Sequence, residues 1–374
     1  VPLDLRGAAG EWRYAGGRLT VDGGSFMLSD RQRDARFQPL TARDATLTLQ
    51  DNRIDAAAML REPLSDREVL HAGIVHNLAD GTGTADLEAA NITFDKALQP
   101  DTLSRLALGI VANAQGSVQG TGRVSWTPGK VSSFGMVSTD GVDFAAAFGP
   151  VKGVAGTVVF TDLLGLVTAP DQKLKIASIN PGIEANNGEL SFELQGNNVL
   201  QVNGAHWPFL NGELVLEPTR MVLGAAETRR YTLSVAGLDA SQLVNRLELT
   251  NIDASGVFDG RLPLVFDHDG GRIDGGLLLS RLPGGNVSYN GPLSYQDLSE
   301  MANFAFASLK SLNFRQMRVE MHGALEGEIV TRVSFEGLSQ GQAARKNFVT
   351  RALARLPIRF NVNIRAPFFR LVSS

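Results

Sequence analysis

The residue types that most often do chemistry are sparse in this chain and poorly spaced. Its five histidines are His71, His76, His206, His268 and His322. His71 and His76 are five residues apart, and that spacing puts two metal ligands together on neither a helix face nor a strand face. We therefore interpret the histidines as surface residues, and we predict no metal site and no cofactor.

Two glycine-rich segments have some features of ligand-binding loops. Segment 267–274 (DHDGGRID) lacks the spaced acidic ligands and the terminal Glu of a calcium loop, which favours a polar hairpin turn. Segment 80–84 (DGTGT) lacks the Lys-Ser/Thr pair of a phosphate loop. Neither a nucleophile elbow nor a zinc-protease motif is present in the sequence. We therefore predict no catalytic residues and a protein that is not an enzyme.

Composition narrows the class of partner and the compartment. The formal net charge is −4, so there is no basic excess of the kind that nucleic-acid binding requires. Cysteine is absent, which excludes disulfides and thiol catalysis and fits an oxidising compartment such as the periplasm. The first residues carry no leader pattern, and no run of about 18 apolar residues is present. We expect a mature form or a fragment whose leader or membrane anchor lies upstream.

The elements that must position any site are β-strands, because apolar and polar residues alternate over most of the chain. Forty glycines indicate many turns. In segment 183–216, four turns at 187–188, 196–198, 203–204 and 211–212 predict five short strands with one shared apolar face. A further turn at Asp22-Gly23 would set Leu19 against Phe26. The predicted fold is mainly β, a long curled antiparallel sheet with one apolar inner face.

Helices are predicted to be few. Short ones are expected over Pro100 to about Leu108 and over Asp239–Leu249. A longer one is expected over Ser294–Leu312, within a helix-containing insert at about 290–312, and segment 340–356 is irregular. We predict one extended β-groove region over 1–374, the C-terminal fragment of a larger protein.

The apolar face has two interpretations. It could pack against a second sheet in a sandwich. However, the predicted helices are too few to cover it, and about twenty strands exceed the usual size of an open sheet unless the sheet curls into a groove. Trp and Tyr number only 3 and 4, too few for the girdles of a membrane barrel. The residues predicted to line the groove are Leu19, Phe26, Ile183, Leu190, Phe192, Leu194, Leu200, Val202, Trp207, Phe209, Leu214, Leu216, Phe258, Leu262, Leu264, Phe266, Ile329, Val333, Phe335, Ile358, Phe360, Val362 and Ile364.

Several segments carry a resemblance to a known family. They are 98–103 (LQPDTL), leading to Gly116-x-Val-x-Gly120, then 283–289 (PGGNVSY), Asn347-Phe348 and 356–362 (LPIRFNV). From about residue 85 to the end, the chain resembles the carboxy-terminal part of the YdbH family, in the AsmA-like group that includes TamB.

The resemblance implies a periplasmic β-groove that carries phospholipid between inner and outer membranes, with this end near the outer membrane. It also implies a small outer-membrane lipoprotein partner, YnbE-like, that adds a strand to a free edge. The candidate edge strand is Ile358, Arg359, Phe360, Asn361, Val362, Asn363, Ile364 and Arg365. A TamB-like scaffold for the assembly of outer-membrane proteins would use the same edge, so it remains the alternative.

Overall fold

The structure is a computed structural model that describes residues 3–181, 183–224, 227–246, 251–290, 311–325, 327–340 and 361–367. Only the backbone is described for Tyr289, Gln340 and 361–367. The strands are β1 (Leu3–Ala15), β2 (Arg18–Asp30), β3 (Leu40–Gln50), β4 (Arg53–Arg61), β5 (Glu68–Asn77), β6 (Thr82–Phe94), β7 (Ala112–Thr127), β8 (Lys130–Ala146), β9 (Gly149–Asp162), β10 (Val167–Thr168), β11 (Gln172–Ile179), β12 (Ala185–Gln195), β13 (Val199–Phe209), β14 (Gly212–Leu216), β15 (Thr219–Val222), β16 (Arg229–Asp239), β17 (Ile252–Ser255), β18 (Val257–Asp267), β19 (Gly270–Ser280), β20 (Gly285–Tyr289), β21 (Leu312–Phe314), β22 (Gln316–Ala324), β23 (Glu328–Glu336), β24 (Ser339–Gln340) and β25 (Asn361–Pro367).

Within the described ranges, 21 strands belong to one antiparallel sheet, and the other four form a small second sheet. The predicted mainly β, antiparallel fold is therefore confirmed. The chain forms two compact units. Unit 1 comprises Val1–Ile179, Glu189–Asn203 and Pro218–Glu227, and unit 2 comprises Asn180–Gly188, Gly204–Glu217 and Thr228–Ser374.

Unit 1 is a meander in which each strand pairs with the next. The antiparallel ladder runs from β1 through β2 and onward to β9, and β9 also pairs with β10 and β11. Short turns join most of these strands. The connection 31–39 between β2 and β3 and the segment 95–111 between β6 and β7 are longer.

Unit 2 holds the ladder β13–β14–β16–β18–β19–β22–β23–β25. The small sheet pairs β17 with β20, β20 with β21 and β21 with β24. It contributes Phe314, whose ring lies 6.4 Å from that of Phe258 and 5.8 Å from that of Phe335. All three side chains are buried, so a second sheet covers this part of the apolar face.

Three of the predicted turns are wrong, because the strands continue through them. Asp22-Gly23 lies within β2, Asn187-Gly188 within β12 and Asn203-Gly204 within β13. The pairing of β2 with β3 shifts register at Val21/Gly24, where Gly23 has a φ of 56°, so this site is a β-bulge. The residues that favour a type I′ turn also suit a bulge, since both need positive φ.

The other two turns are present, and the second lies one residue earlier than predicted. The loop 196–198 joins β12 to β13 as predicted. The turn between β13 and β14 uses Leu210 and Asn211 at positive φ and pairs Phe209 with Gly212 and Trp207 with Leu214. The predicted register at this turn, Phe209 opposite Leu214, is therefore wrong by two residues.

The first helix is shorter than predicted, and the second is described only as far as Arg246, since 247–249 lie outside the described residues. Helix α1 spans Pro100–Leu103, extended Ser104 ends it, and a 3₁₀ turn follows at Arg105–Ala107. Helix α2 spans Ala240–Arg246, and the carboxylate of Asp239 accepts hydrogen bonds from the Ser241 amide and hydroxyl. The predicted helix over Ser294–Leu312 lies outside the described residues except at its end, where Leu312 begins β21. Of the segment 340–356, Gln340 belongs to β24 and the rest lies outside the described residues.

Candidate functional site

Unit 1 contains an apolar cavity of about 1170 Å³. This volume exceeds the roughly 300–1,000 Å³ of pockets that hold drug-sized ligands. Of the residues that the structure describes, 37 line it, and five of these are polar: Ser25, Arg36, Thr46, His76 and Thr127. Such a lining offers almost no partner for a polar substrate, so the cavity suits an extended apolar ligand.

Small side chains on the inner faces of β3 to β6 give the cavity its width. Alanines dominate this part of the wall: Ala45, Ala56, Ala57, Ala58, Ala72, Ala85 and Ala89. Leu60, Leu70 and Leu87 lie in the same strands and also line the cavity. An alanine fills less space than a leucine, so the wall keeps an apolar surface without filling the space that it encloses.

Bulges keep the wall continuous where a strand would otherwise turn its apolar face outward. In β6, Leu87 and Ala89 line the cavity and so does Ile92, although Ile92 lies three positions after Ala89 rather than two. The pairing of β6 with β7 shifts register between those two residues. In β2 the shift after Val21 likewise lets Gly24 and Phe26 line the cavity. Each bulge therefore restores the inward face.

Two connections meet at the cavity, and we call them together the crossbar (residues 31–39 and 163–166). Arg36 Nη1 donates a hydrogen bond of 3.1 Å to the Leu164 carbonyl oxygen. Arg36, Phe37, Leu163, Leu164 and Leu166 all line the cavity. Strands β4 to β8 lie between β3 and β9 in the ladder, so unit 1 bends around the cavity and the crossbar completes the ring.

A buried carboxylate orients Arg36. The side chain of Asp30 is buried, and its Oδ2 accepts hydrogen bonds from Arg36 Nε at 2.6 Å and from the Arg36 amide at 3.1 Å. Its Oδ1 accepts one from the Gln32 amide at 3.1 Å. Burial opposes ionisation of Asp30, but the hydrogen bonds from Arg36 and Gln32 outweigh it and hold its pKa below the usual value.

Trp126 and His76 form another part of the wall. His76 Nδ1 lies 3.1 Å from Trp126 Nε1 and 2.8 Å from the Thr82 carbonyl oxygen. Gly83 lies under the indole, where a Cβ would overlap the ring. The prediction of surface histidines is therefore wrong for His76, which lines the cavity.

The structure places the predicted lining residues in three groups. Phe26 lines the cavity of unit 1. Nine are buried in strands: Phe192, Val202, Trp207, Leu214, Phe258, Leu264, Ile329, Val333 and Phe335. Nine are half-buried: Leu19, Ile183, Leu190, Leu194, Leu200, Phe209, Leu216, Leu262 and Phe266. Ile358 and Phe360 lie outside the described residues, and Val362 and Ile364 belong to β25, of which the backbone is described.

Part of the cavity wall was missed because its residues are small. A search for large apolar residues passes over Ala56 and Ala58, although with Ile54 and Leu60 they repeat at every second position of β4. That period of two was the available signal. The bulges hid another part, since they break the alternation at Gly24 and Ile92.

The polar segment 267–274 is the hairpin turn that was predicted. Asp267 pairs with Gly270 across it. Asp267, His268 and Asp269 offer ligand atoms within 4.8 Å of one another, but His268 and Asp269 are exposed. Asp267 Oδ2 accepts a hydrogen bond of 2.5 Å from Arg272 Nη1, and that bond holds the pKa of Asp267 below its usual value. The carboxylate of Asp267 is therefore already paired with the guanidinium of Arg272.

Comparison with known families gives a match over the whole chain. The profile described as "YdbH-like: Intermembrane phospholipid transport protein YdbH" matches residues 1–374. The chain belongs to the YdbH-like family. The match extends the resemblance to the first 85 residues, which carry much of the cavity wall. No curated protein and no solved structure matches the chain.

Family membership fixes the general role. The YdbH-like family transports phospholipid between membranes and acts in the periplasm, so phospholipid is the cargo. It is a family of lipid transport proteins and not a known enzyme family. In the part of the chain that the structure describes, no helix is both long and apolar enough to cross a membrane.

Proposed function

We propose that the cavity of unit 1 is a segment of the path along which phospholipid acyl chains move, shielded from water, between inner and outer membrane. The observation that carries this proposal is the lining, with five polar residues among 37. Each methylene removed from water contributes roughly 0.8 kcal/mol, so a tail of about fifteen carbons gains on the order of 10 kcal/mol.

Uniformity of the wall matters as much as its hydrophobicity. A tail that moves along alanine and leucine side chains exchanges one apolar contact for a similar one, so its free energy changes little along the path. The lining offers few polar groups that would hold a tail at one point. The wall therefore suits passage better than storage.

A charge on the inner face tests this proposal. Ile74 lines the cavity and is 36% exposed, so Ile74→Glu leaves the carboxylate solvated and the sheet folded while it blocks the apolar path. Thr84→Glu is the matched control, because Thr84 lies in the neighbouring strand opposite Val75 and alternates with cavity-lining Ala85.

The readout is phospholipid that co-purifies with the chain, measured by mass spectrometry of extracted lipid, together with photo-cross-linking from Leu87. We expect lipid in the native chain and in Thr84→Glu, and a loss of about tenfold or more in Ile74→Glu. A native chain without bound lipid would contradict the conduit and favour the assembly scaffold. Equal lipid in all three proteins would place the path elsewhere.

We also propose that this end of the protein lies near the outer membrane and that a small lipoprotein adds a strand to β25. Support comes from the regular pairing of β25 with β23 over Glu328↔Pro367 to Ser334↔Asn361. A strand held straight on one side is a template for a partner on the other.

Proline scanning of β25 tests strand addition, because proline removes one backbone donor. Along an antiparallel strand, successive amides point to opposite neighbours. The variants to compare are Asn361→Pro, Val362→Pro and Asn363→Pro. Either Val362→Pro alone, or both of the other two, should abolish binding of the lipoprotein while unit 2 remains folded. Retained binding in every folded variant would exclude this edge.

A further inference from the structure

The crossbar raises a problem for any lipid in the cavity. The tails of a phospholipid fit the apolar wall, but its charged headgroup does not, because burying a charge without a partner is costly. The headgroup must stay where the ring of unit 1 is open to water. A connection that completes the ring stands in the way of a headgroup that enters or leaves.

Each half of the crossbar is anchored by contacts to residues outside the crossbar. Asp30 holds residues 31–39 through Arg36. Segment 99–111 also holds them, because Ser104 Oγ donates a hydrogen bond of 2.7 Å to the Arg36 carbonyl oxygen and the Gln38 amide donates one of 2.7 Å to the Leu103 carbonyl oxygen. On the other side the Leu164 amide donates to Ser133 Oγ at 2.9 Å. Leu163 rests on Gly122 and Gly135, where a Cβ would crowd its methyl group.

Few polar contacts join the halves to each other. Among the described residues, the Arg36 Nη1 bond to the Leu164 carbonyl is the one hydrogen bond between them. Arg36 Nη2 is buried and has no hydrogen-bond partner there. A buried donor without a partner costs free energy in the closed arrangement, and opening would let water satisfy it. The strong contacts thus lie within each half and the weak one lies between them.

We propose that the crossbar is a gate with Arg36 as its latch, through which phospholipids enter and leave the cavity of unit 1. This proposal rests on the proposed function. Opening breaks the bond between Arg36 and Leu164 while Asp30 keeps the guanidinium with its own half. The ring then has a gap through which the headgroup passes with its tails.

Cysteine cross-linking tests the gate, since the chain has no native cysteine. Arg36→Cys/Leu164→Cys is joined by a bis-maleimide whose spacer contains a reducible disulfide. The measured quantity is the rate at which pyrene-labelled phosphatidylethanolamine exchanges between the chain and vesicles of phosphatidylethanolamine and phosphatidylglycerol. Reduction of the spacer opens the link but leaves both cysteines modified, so each sample provides its own control.

We expect the linked protein to exchange lipid about tenfold more slowly than the same sample after reduction, and Arg36→Ala to exchange faster than the native chain. Exchange that stays within about twofold before and after reduction would overturn the gate. Failure of the conduit itself looks different: no labelled lipid would cross-link to a photoreactive residue at Leu87 in any variant, the native chain included.

Discussion

The indole of Trp207 occupies the space that a side chain on Gly188 would need. Trp207 in β13 is 3% exposed, and a Cβ on Gly188 in β12 would overlap its ring nitrogen. The neighbouring Asn187 has a φ of 60°, so the Asn-Gly pair is a kink within β12. Glycine is needed here to admit a tryptophan, and not to make a turn.

Gly188→Ala should therefore destabilise the protein by about 1–3 kcal/mol, since the added methyl group forces the indole out of place. Urea unfolding followed by tryptophan fluorescence measures the change. Gly196→Ala is the control, because nothing lies within 4 Å of its Cβ position, and it should be neutral or slightly stabilising. Equal effects of the two substitutions would show that Trp207 does not pack on Gly188.

The period of two predicted the mainly β fold because it is a local property that each strand carries. Topology was harder, since Asp22-Gly23 and Asn187-Gly188 have the composition of a hairpin turn, but the first is a bulge and the second lies within β12. A bulge, like a turn, reverses which residues face inward, and both Ala185 and Phe192 are buried on either side of Gly188. The sequence pattern does not distinguish the two.

The site was less predictable than the fold. Large apolar residues such as Phe258 and Phe335 were expected to line the groove, but in unit 2 they pack on Phe314 of the small sheet. The cavity of unit 1 depends instead on alanines and on the bond between Arg36 and Leu164, 128 residues apart. Contacts between such distant residues leave no periodic signal in the chain.

Ile329 and Val330 are neighbours in β23, but the first is buried in unit 2 and the second is partly exposed. Ile329 is 1% exposed and Val330 is 37% exposed. Ile329→Glu buries a carboxylate, so we expect a loss of about 4 kcal/mol or more in unfolding free energy, whereas Val330→Glu should change it by less than about 1 kcal/mol. Urea denaturation of both variants checks this. A stable Ile329→Glu variant that has lost lipid would instead place Ile329 in the lipid path.

The buried pair of Asp30 and Arg36 should make the crossbar sensitive to acid. Because the pKa of Asp30 is below its usual 3.8 in the folded state, its stabilisation is complete above that pH and is lost as pH falls through the lowered value. Asp30→Asn leaves Arg36 without a buried partner and should cost about 3 kcal/mol at pH 7. Urea unfolding at pH 7 and pH 2.5 should show the difference from the native chain shrinking at the lower pH.

Asp86→Asn provides the comparison for that experiment. Asp86 pairs with Arg123 across β6 and β7, and both side chains are about half exposed. Water screens such a pair, so its loss should have little effect on unfolding at either pH. A loss as large as that of Asp30→Asn would mean that burial does not distinguish the two pairs.

Gly83 controls the position of Trp126 in the cavity wall. Gly83→Ala should push the indole toward the cavity and reduce the amount of bound phospholipid, measured by mass spectrometry of extracted lipid. Gly73→Ala in the adjacent strand meets nothing within 4 Å and should keep the native amount. Unchanged lipid in Gly83→Ala would show that the volume beside Trp126 is not used.

The bulges also limit how these strands can change in length. A single residue inserted between Leu87 and Ala89 would turn one end of β6 over and present Asp86 or Glu88 to the apolar cavity. Two inserted residues would preserve the inward face, and one residue is tolerable where a bulge such as that before Ile92 absorbs it. We therefore expect natural variants of these strands to differ in length by even numbers, with odd differences confined to bulges and turns.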